Sequence, residues 1–202
     1  MSIYELKPRF QALLRPLTAA LARAGVTANQ VTIAAAVVSV ALGMFVAWRA
    51  PERWPFLLIP LWMFVRMAFN AVDGILAREF GQKSRLGAYL NELTDVISDA
   101  ALYLPFALVA PFSPLWTGIV IVLAVISEFA GVLGPAVGAS RRYDGPMGKS
   151  DRAFVFGVLG LWIGLAAALP DWVAYVMPLV AAALVKTIVN RVRSGLQEGT
   201  VT

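Results

Sequence analysis

Six apolar segments make up most of this 202-residue sequence, at about residues 31–48, 54–77, 86–109, 115–139, 153–169 and 172–190. Each is long enough, as a helix, to cross or nearly cross a bilayer core of about 30 Å. The chain is 59% hydrophobic and 14% charged, whereas about a quarter of the residues in soluble domains are charged. Lipid offers the backbone no hydrogen bonds, so such spans are helical. The sequence therefore predicts an all-α integral membrane protein with six transmembrane helices.

Residues 1–24 precede the spans and predict an amphipathic helix on the membrane surface. Apolar side chains recur there at helical spacing, and basic residues occupy other positions, as in helices that lie in the membrane interface. The first ten residues, MSIYELKPRF, lack the layout of a signal peptide, so we expect them to be retained. No polar linker or repeat follows. We therefore expect residues 1–202 to form a single membrane domain, with the six-helix bundle at 31–190.

Positive charge is distributed unevenly between the two sides of the predicted bundle. With the N-terminus in the cytoplasm, the outer segments hold only Arg49 and Arg53, Arg66 lies within a span, and the inner segments hold the other basic residues. This asymmetry follows the positive-inside rule. It predicts a multi-pass protein of the bacterial inner membrane, with both termini and the functional site facing the cytoplasm. Attraction to anionic headgroups explains the net charge of +5, and no nucleic-acid partner is expected.

The run from Asn70 to Asp95, NAVDGILAREFGQKSRLGAYLNELTD, places acids and amides within apolar sequence. A charge in a membrane helix costs about 2.5–3.5 kcal/mol on insertion scales, which marks it as a functional candidate. Asn70 and Asp73 share one face of the second span, and Asn91, Asp95 and Asp99 share one face of the third. A short loop joins these spans, so we expect the two faces to oppose each other.

The chemistry available to this site is narrow, because the chain has no cysteine and no histidine. Clustered carboxylate and amide oxygens suit a hard divalent cation such as Mg²⁺ or Mn²⁺, which commonly clamps phosphate groups. Gly74, Ala77 and Gly87 remove bulk where a ligand or second backbone must approach. Arg78 can pair with a phosphate. The alternative is a polar network that only pins the two helices, at the cost of burying several ions.

This run resembles the signature of the CDP-alcohol phosphotransferases (CDP-alcohol phosphatidyltransferases). The matching string is Asp73-Gly74-x2-Ala77-Arg78-x8-Gly87-x3-Asn91-x3-Asp95. Residues 25–32, GVTANQVT, also resemble the element before that family's first span. Six spans after a surface helix match the family layout, so the resemblance covers nearly the whole chain. It is strongest to the proteobacterial inner-membrane branch of the family.

The resemblance implies transfer of a substituted phosphate from a CDP-linked alcohol to a second alcohol, with release of CMP. It implies one or two Mg²⁺ or Mn²⁺ ions at the four acidic positions of the motif, here Asn70, Asp73, Asn91 and Asp95. It also makes Asp95 the candidate catalytic base. Nucleotide contacts are implied for six residues: Asn29, Thr32, Gly74, Ala77, Arg78 and Gly87.

Two positions depart from the family pattern, because Asn70 and Asn91 stand where aspartate is usual. An amide oxygen can still bind Mg²⁺, but each exchange removes one negative charge. We therefore expect weaker metal binding, or one ion where relatives hold two. Three further acids could compensate: Glu92, Asp99 and Glu128. Glu128 could equally pair with Arg66 or form a hydrogen bond between helices.

A second basic region precedes the fifth span, in the segment SRRYDGPMGKSDRAF. Lys149, Ser150 and Arg152 lie at the expected helix start, where backbone amides can hold a phosphate, and Arg191 at the end of the last span could close the site. This region looks like the place where relatives hold a phosphorylated acceptor. Positive-inside charge alone is the competing interpretation.

The leading hypothesis is a membrane enzyme of phospholipid biosynthesis that uses CDP-diacylglycerol or another CDP-alcohol. Glycerol 3-phosphate is the first-guess acceptor. Serine as acceptor, or transfer from CDP-choline or CDP-ethanolamine to diacylglycerol, is the second. A non-catalytic lipid or nucleotide binder and a transporter are alternatives of another class, although transporters more often show repeats or broken helices. Small residues at spacing three and four would permit a homodimer.

Overall fold

The structure, a computed structural model, describes residues 3–198. Within this range the chain forms α-helices and short 3₁₀ turns and no strand, which confirms the predicted all-α class. The helices are α1 (Ile3–Arg23), α2 (Ala28–Trp48), α3 (Leu58–Glu79), α4 (Arg85–Tyr103), α5 (Pro114–Val132), α6 (Lys149–Leu165) and α7 (Val176–Glu198). The 3₁₀ turns are Ala50–Glu52, Trp54–Leu57, Leu104–Leu108, Gly134–Val137 and Asp171–Tyr175.

Four helical segments of the described chain are long and apolar enough to cross a membrane. They are Ala28–Trp48, Trp54–Glu79, Pro114–Val132 and Asp171–Glu198. The other two predicted spans correspond to α4, which carries the polar face of the candidate site, and to α6, which has 17 residues. The six-span count and the orientation therefore stay predictions.

The chain supplies the caps that start the helices of the site. At the start of α2, Thr27 Oγ1 accepts from the Gln30 backbone N–H, and the Gln30 side chain accepts from the Thr27 backbone N–H. This reciprocal capping box satisfies two otherwise free donors. At the start of α4, Ser84 Oγ accepts from the Gly87 N–H at 2.9 Å, another side-chain cap. These caps fix where α2 and α4 begin, and both starts lie at the end of the bundle that carries the site.

Glycines let the helices of the bundle approach closely. A Cβ at Gly43 of α2 would overlap the Ala101 carbonyl of α4, and a Cβ at Gly160 of α6 would lie 3.0 Å from the Phe56 carbonyl oxygen. Helix α2 therefore packs against α4, and α6 packs against α3 and the turn before it, as small residues allow in membrane bundles. The aromatic core begins one turn beyond Asp99, where the rings of Tyr103 and Phe156 stack at 3.8 Å.

Helix α1 packs against α3. Arg15 pairs with Glu79 at 3.1 Å, and the rings of Phe10 and Phe64 meet edge to face at 6.4 Å. Leu13 on α1 is 76% exposed, as expected for a helix with an apolar face toward lipid. The predicted N-terminal helix is confirmed, while its position on the membrane surface stays a prediction.

Candidate active site

The polar faces of α3 and α4 oppose each other, and Arg66 of α3 joins them. Its Nη2 donates to Asp95 Oδ1 at 3.0 Å, and its Nη1 donates to Asp99 Oδ1 at 2.6 Å. The Arg66 side chain is 6% exposed. A buried guanidinium is normally paired with carboxylates in this way. Arg66 therefore holds the Asp95 carboxylate in a fixed orientation from the side that faces Asp99.

Asp73 of α3 receives its hydrogen bond from α2. Thr32 Oγ1 donates to Asp73 Oδ2 at 2.8 Å, and both residues are buried. Asp73 also lies close enough to Asp95 for the two carboxylates to interact electrostatically. Two residues predicted for separate roles, the nucleotide contact Thr32 and the metal ligand Asp73, are thus in direct contact.

Lys149, the first residue of α6, is the second partner of Asp95. Its Nζ donates to Asp95 Oδ2, while Arg66 occupies Oδ1. Each carboxylate oxygen of Asp95 therefore faces a cation. The Lys149 side chain is 35% exposed, so this cation is accessible from outside the bundle. Lys149 was predicted for the acceptor, and its pairing with Asp95 was not expected.

Asn70 and Asn91 are half-buried at the same site. Within residues 3–198 neither amide forms a hydrogen bond to another residue. A half-buried amide without a protein partner is available to a ligand, since buried polar groups are normally satisfied. The two amide oxygens therefore remain free for a metal ion or a substrate.

The oxygen donors at the site are of the kind that a hard divalent cation prefers. In the described part of the chain no three or more acidic side chains come together as a metal cluster. Asp73 and the two amides supply hard oxygen ligands, whereas both oxygens of Asp95 face cations. Mg²⁺ is commonly bound by one or two carboxylates plus substrate phosphates. The residues present therefore suit an ion whose shell is completed by a bound phosphate.

The small residues of the motif lie against the predicted nucleotide-binding side chains. A Cβ on Gly74 would lie 2.9 Å from Arg78 Nη2, and a Cβ on Gly87 would lie 2.9 Å from Asn29 Oδ1. Arg78 is exposed, and Ala77 packs half-buried beside the start of α2. The structure thus brings the predicted nucleotide residues to the same end of α2, α3 and α4.

Arg152 and Arg191, predicted to hold the acceptor, lie inside the bundle. Their side chains are 1% and 2% exposed. Arg152 Nη2 lies 3.1 Å from Asp99 Oδ2 and 2.9 Å from Glu128 Oε1. Arg191 Nη1 lies 3.4 Å from Glu128 Oε2. Of the predicted acceptor residues, Ser150 is exposed, and Lys149 reaches Asp95.

The auxiliary acids Glu92, Asp99 and Glu128 are all engaged by arginines. Asp99 is paired as described above, and Glu92 is paired with Arg141. Glu128 contacts Arg152 and Arg191 rather than Arg66, because α5 packs beside α7. Glu128 thus does not pair with Arg66, and the alternative expectation, a hydrogen bond between helices, is confirmed by the bond from Arg152 of α6.

These features define a helical membrane protein with a phosphate-transfer site. Residues 25–189 match the sequence model of the CDP-alcohol phosphatidyltransferases, and the chain belongs to that family. It is therefore a CDP-alcohol phosphotransferase, a membrane enzyme of phospholipid biosynthesis.

The relatives of the chain agree with this assignment. The inner membrane protein YnbA of Escherichia coli (strain K12) is 42% identical over 196 residues, which cover 97% of each chain. The solved phosphatidylinositol phosphate synthase (PgsA1) of Mycobacterium tuberculosis with CDP-DAG bound has a TM-score of 0.74 at 26% identity, covering 89% of this chain and 92% of that one. The same synthase in complex with manganese and citrate also has a TM-score of 0.74, at 25% identity, covering 90% and 88%.

Proposed function

We propose that this enzyme transfers the phosphatidyl group of CDP-diacylglycerol to the hydroxyl of a polar acceptor alcohol and releases CMP. The observation that carries the proposal is the Asp95 carboxylate, held between Arg66 and Lys149 and next to Asp73. The similar synthase with CDP-DAG bound supports the donor.

We propose that Asp73 and the amides of Asn70 and Asn91 contribute the ligands of one Mg²⁺ or Mn²⁺ ion, while Asp95, the fourth position of the motif, faces Arg66 and Lys149. The similar synthase that contains manganese supports a divalent metal, and the two unpaired amides support its place. Once bound, the ion would neutralise charge on the pyrophosphate of the donor. A single ion agrees with the loss of two carboxylates from the family motif.

Asp95 is the proposed catalytic base. It takes the proton of the acceptor hydroxyl, and the acceptor oxygen forms a bond to the phosphorus that carries diacylglycerol. The phosphoanhydride bond breaks, and CMP leaves with its electron pair. Arg66 positions the carboxylate, because its guanidinium bridges Asp95 and Asp99 from within the bundle. Correct placement of the base supplies much of its catalytic effect.

The nucleotide is proposed to lie over the cytoplasmic ends of α2, α3 and α4. Arg78 contacts phosphate, because it is exposed and free to form a bidentate pair. Gly74, Ala77 and Gly87 leave room for the cytidine, and Asn29 lies at the edge of that space. Thr32 contributes by orienting Asp73.

We also propose that α2 to α7 all cross the membrane, with both termini and the site on the cytoplasmic side. Helix α4 has 19 residues, a length of about 28 Å, which is close to the thickness of the bilayer core. Its charges face Arg66 and Arg141 rather than lipid, which makes a polar span tolerable. The similar inner membrane protein supports the location. We further propose that residues 1–202 form a single domain and that the protein forms a homodimer.

Glycerol 3-phosphate and serine are the two acceptors that the sequence suggested, in that order. The choice between them depends on whether the basic residues at the cytoplasmic ends of α6 and α7 can receive a phosphate. Glu128 contacts two of these residues, Arg152 and Arg191.

The proposal is tested by incubating the purified protein with CDP-diacylglycerol, Mg²⁺ or Mn²⁺ and a panel of acceptor alcohols. We expect CMP release by the wild type and a decrease of about 100-fold or more in Asp95→Ala, the usual range for loss of a catalytic base. Asp171→Ala is the matched control, because Asp171 is exposed at the opposite end of the bundle. Absence of CMP with every acceptor and both metals would refute the proposal.

A further inference from the structure

An ion-pair network of nine side chains extends from the candidate site into the bundle. Its five cations are Arg66, Arg141, Lys149, Arg152 and Arg191, and its four carboxylates are Glu92, Asp95, Asp99 and Glu128. Asp73 lies beside the network and adds a fifth carboxylate. The network itself therefore has one cation more than it has carboxylates.

Glu128 of α5 is the carboxylate on which three guanidinium groups converge. Its Oε1 lies 2.9 Å from Arg152 Nη2, and its Oε2 lies 3.4 Å from Arg191 Nη1 and 4.0 Å from Arg141 Nη2. The three arginines come from the loop after α5, from α6 and from α7. Such a convergence of arginines is typical of a phosphate site. Here the anion at its centre is a side chain of the protein.

The buried arginines already face carboxylates or carbonyl groups, and Arg152 Nε, which has no hydrogen-bond partner, is itself buried. Arg152 Nη2 also bonds Asp99, and Arg191 bonds the backbone carbonyls of Ser127 and Asp144. The cavity beside Glu128 has a volume of about 10 Å³ and is lined by Asp99, Tyr103 and Arg152, among others. A cavity of this size holds at most one water molecule. This cavity therefore has no space for a phosphate beside Arg152 and Glu128.

The two more exposed cations of the network are also paired. Lys149, 35% exposed, bonds Asp95, and Arg141, 30% exposed, bonds Glu92. A phosphorylated acceptor would bring about two further negative charges to a network in which five cations already face four carboxylates. An uncharged or zwitterionic alcohol carries no such penalty.

We infer that Glu128 serves as an internal anion that occupies the arginine cluster, so that the acceptor is a polar alcohol without a phosphate of its own. This inference rests on the proposed transferase function and narrows its substrate class to polyols and amino alcohols such as serine. Glycerol 3-phosphate, the first guess from the sequence, is excluded by the same reasoning.

The inference is tested by a binding measurement that does not require turnover. Inorganic phosphate and glycerol 3-phosphate are titrated into the purified wild type and into Glu128→Gln, and binding is followed by calorimetry. Glutamine keeps the size of the side chain and removes its charge. We expect both ligands to bind Glu128→Gln at least about tenfold more tightly than the wild type, as removal of one like charge near the site predicts. Glu198→Gln is the control, because Glu198 pairs with Arg142 outside the network and should not change phosphate binding.

Two results would overturn the inference. One is equal affinity for phosphate in the wild type and Glu128→Gln; the other is saturable binding of phosphate to the wild type with a Kd below about 1 mM. The second result needs no variant, so it decides the question even where Glu128→Gln fails to fold. The acceptor panel adds an independent test: we expect CMP release with polyols or serine and none with glycerol 3-phosphate, and the reverse preference would contradict us. If no acceptor yields CMP, the proposed function fails, while the phosphate titrations still decide the role of Glu128.

Discussion

Replacement of Asp99 by asparagine should destabilise the protein strongly, because two buried arginines share this carboxylate. Asp99 is 6% exposed. Its Oδ1 accepts from Arg66 Nη1 at 2.6 Å, and its Oδ2 accepts from Arg152 Nη2 at 3.1 Å. Asparagine keeps the shape of the side chain but removes the charge, and its amide N–H₂ would face one of the two guanidinium groups. Both arginines would then be short of a counter-ion inside the bundle.

The size of this effect follows from the burial. Removal of one partner from a buried ion pair costs about 3–5 kcal/mol. In a chain of about 200 residues, 1 kcal/mol changes Tm by about 2–4 °C, so we expect a decrease of roughly 6–20 °C. Tryptophan fluorescence of the detergent-solubilised protein measures this, since the chain has six tryptophans.

The matched control is Glu79→Gln, which removes the surface pair with Arg15. Their side chains are 42% and 55% exposed, and exposed pairs contribute little to stability. We expect the Tm of this control within about 2 °C of the wild type. A Tm of Asp99→Asn in the same narrow range would refute the reasoning that the buried network stabilises the site.

Three further outcomes follow from the structure. Thr32→Val removes the hydroxyl that donates to Asp73 at 2.8 Å. The value of kcat/KM for CMP release should therefore decrease about 10- to 100-fold, as for a lost hydrogen bond to a charged group. An unchanged value would contradict the contact. Arg78→Lys keeps the charge but loses the bidentate geometry, so KM for CDP-diacylglycerol should rise about tenfold with a smaller change in kcat. A lower kcat at constant KM would exclude the proposed phosphate contact. The hydrogen bond from Arg142 lowers the pKa of Asp144 in the loop before α6. Ionised Asp144 therefore stabilises the folded protein at neutral pH. This contribution disappears as the pH falls through the lowered pKa. The difference in Tm between wild type and Asp144→Asn should therefore shrink on acidification, and a constant difference would contradict the ion pair.

The sequence was sufficient for those features that depend on local periodicity. The faces of α3 and α4 were predicted because Asn70 and Asp73, and Asn91, Asp95 and Asp99, follow the helical repeat. The start of α2 follows from the capping residues at Thr27 and Gln30, which act within one turn. Local rules of this kind need no knowledge of how the helices pack.

The contacts between distant segments could not be predicted in the same way. Lys149 and Asp95 are 54 residues apart, and Arg152 and Glu128 are 24 residues apart. Both pairs depend on where α5 and the start of α6 lie relative to α4. Helix α6 is held by its packing against α3 and the turn before α3, where Gly160 permits a close approach that no periodic pattern reveals. The sequence therefore predicts an acceptor phosphate at the basic residues near the start of α6, but it does not reveal that these residues are paired with carboxylates of the protein.

Hydropathy alone also left the number of spans open. Helix α4 carries Glu92, Asp95 and Asp99 on one face, and each of these acids is paired with an arginine. A helix of this kind is polar by composition, yet its charges point into the bundle. In the proposed six-span topology, the crossing of α4 depends on those partners, which come from α3, α6 and the loop after α5.

The most direct test of the proposed chemistry is the stoichiometry of products formed from CDP-diacylglycerol. Purified wild type is incubated with Mg²⁺ or Mn²⁺ and a polar alcohol without phosphate, and CMP and the new phosphatidyl lipid are quantified together. We expect the two products in equal amounts, and we expect Asp95→Ala to reduce both by about 100-fold or more. CMP without a matching lipid, or formation of both products by Asp95→Ala at the wild-type rate, would contradict the role of Asp95 as the base of a phosphatidyl transfer.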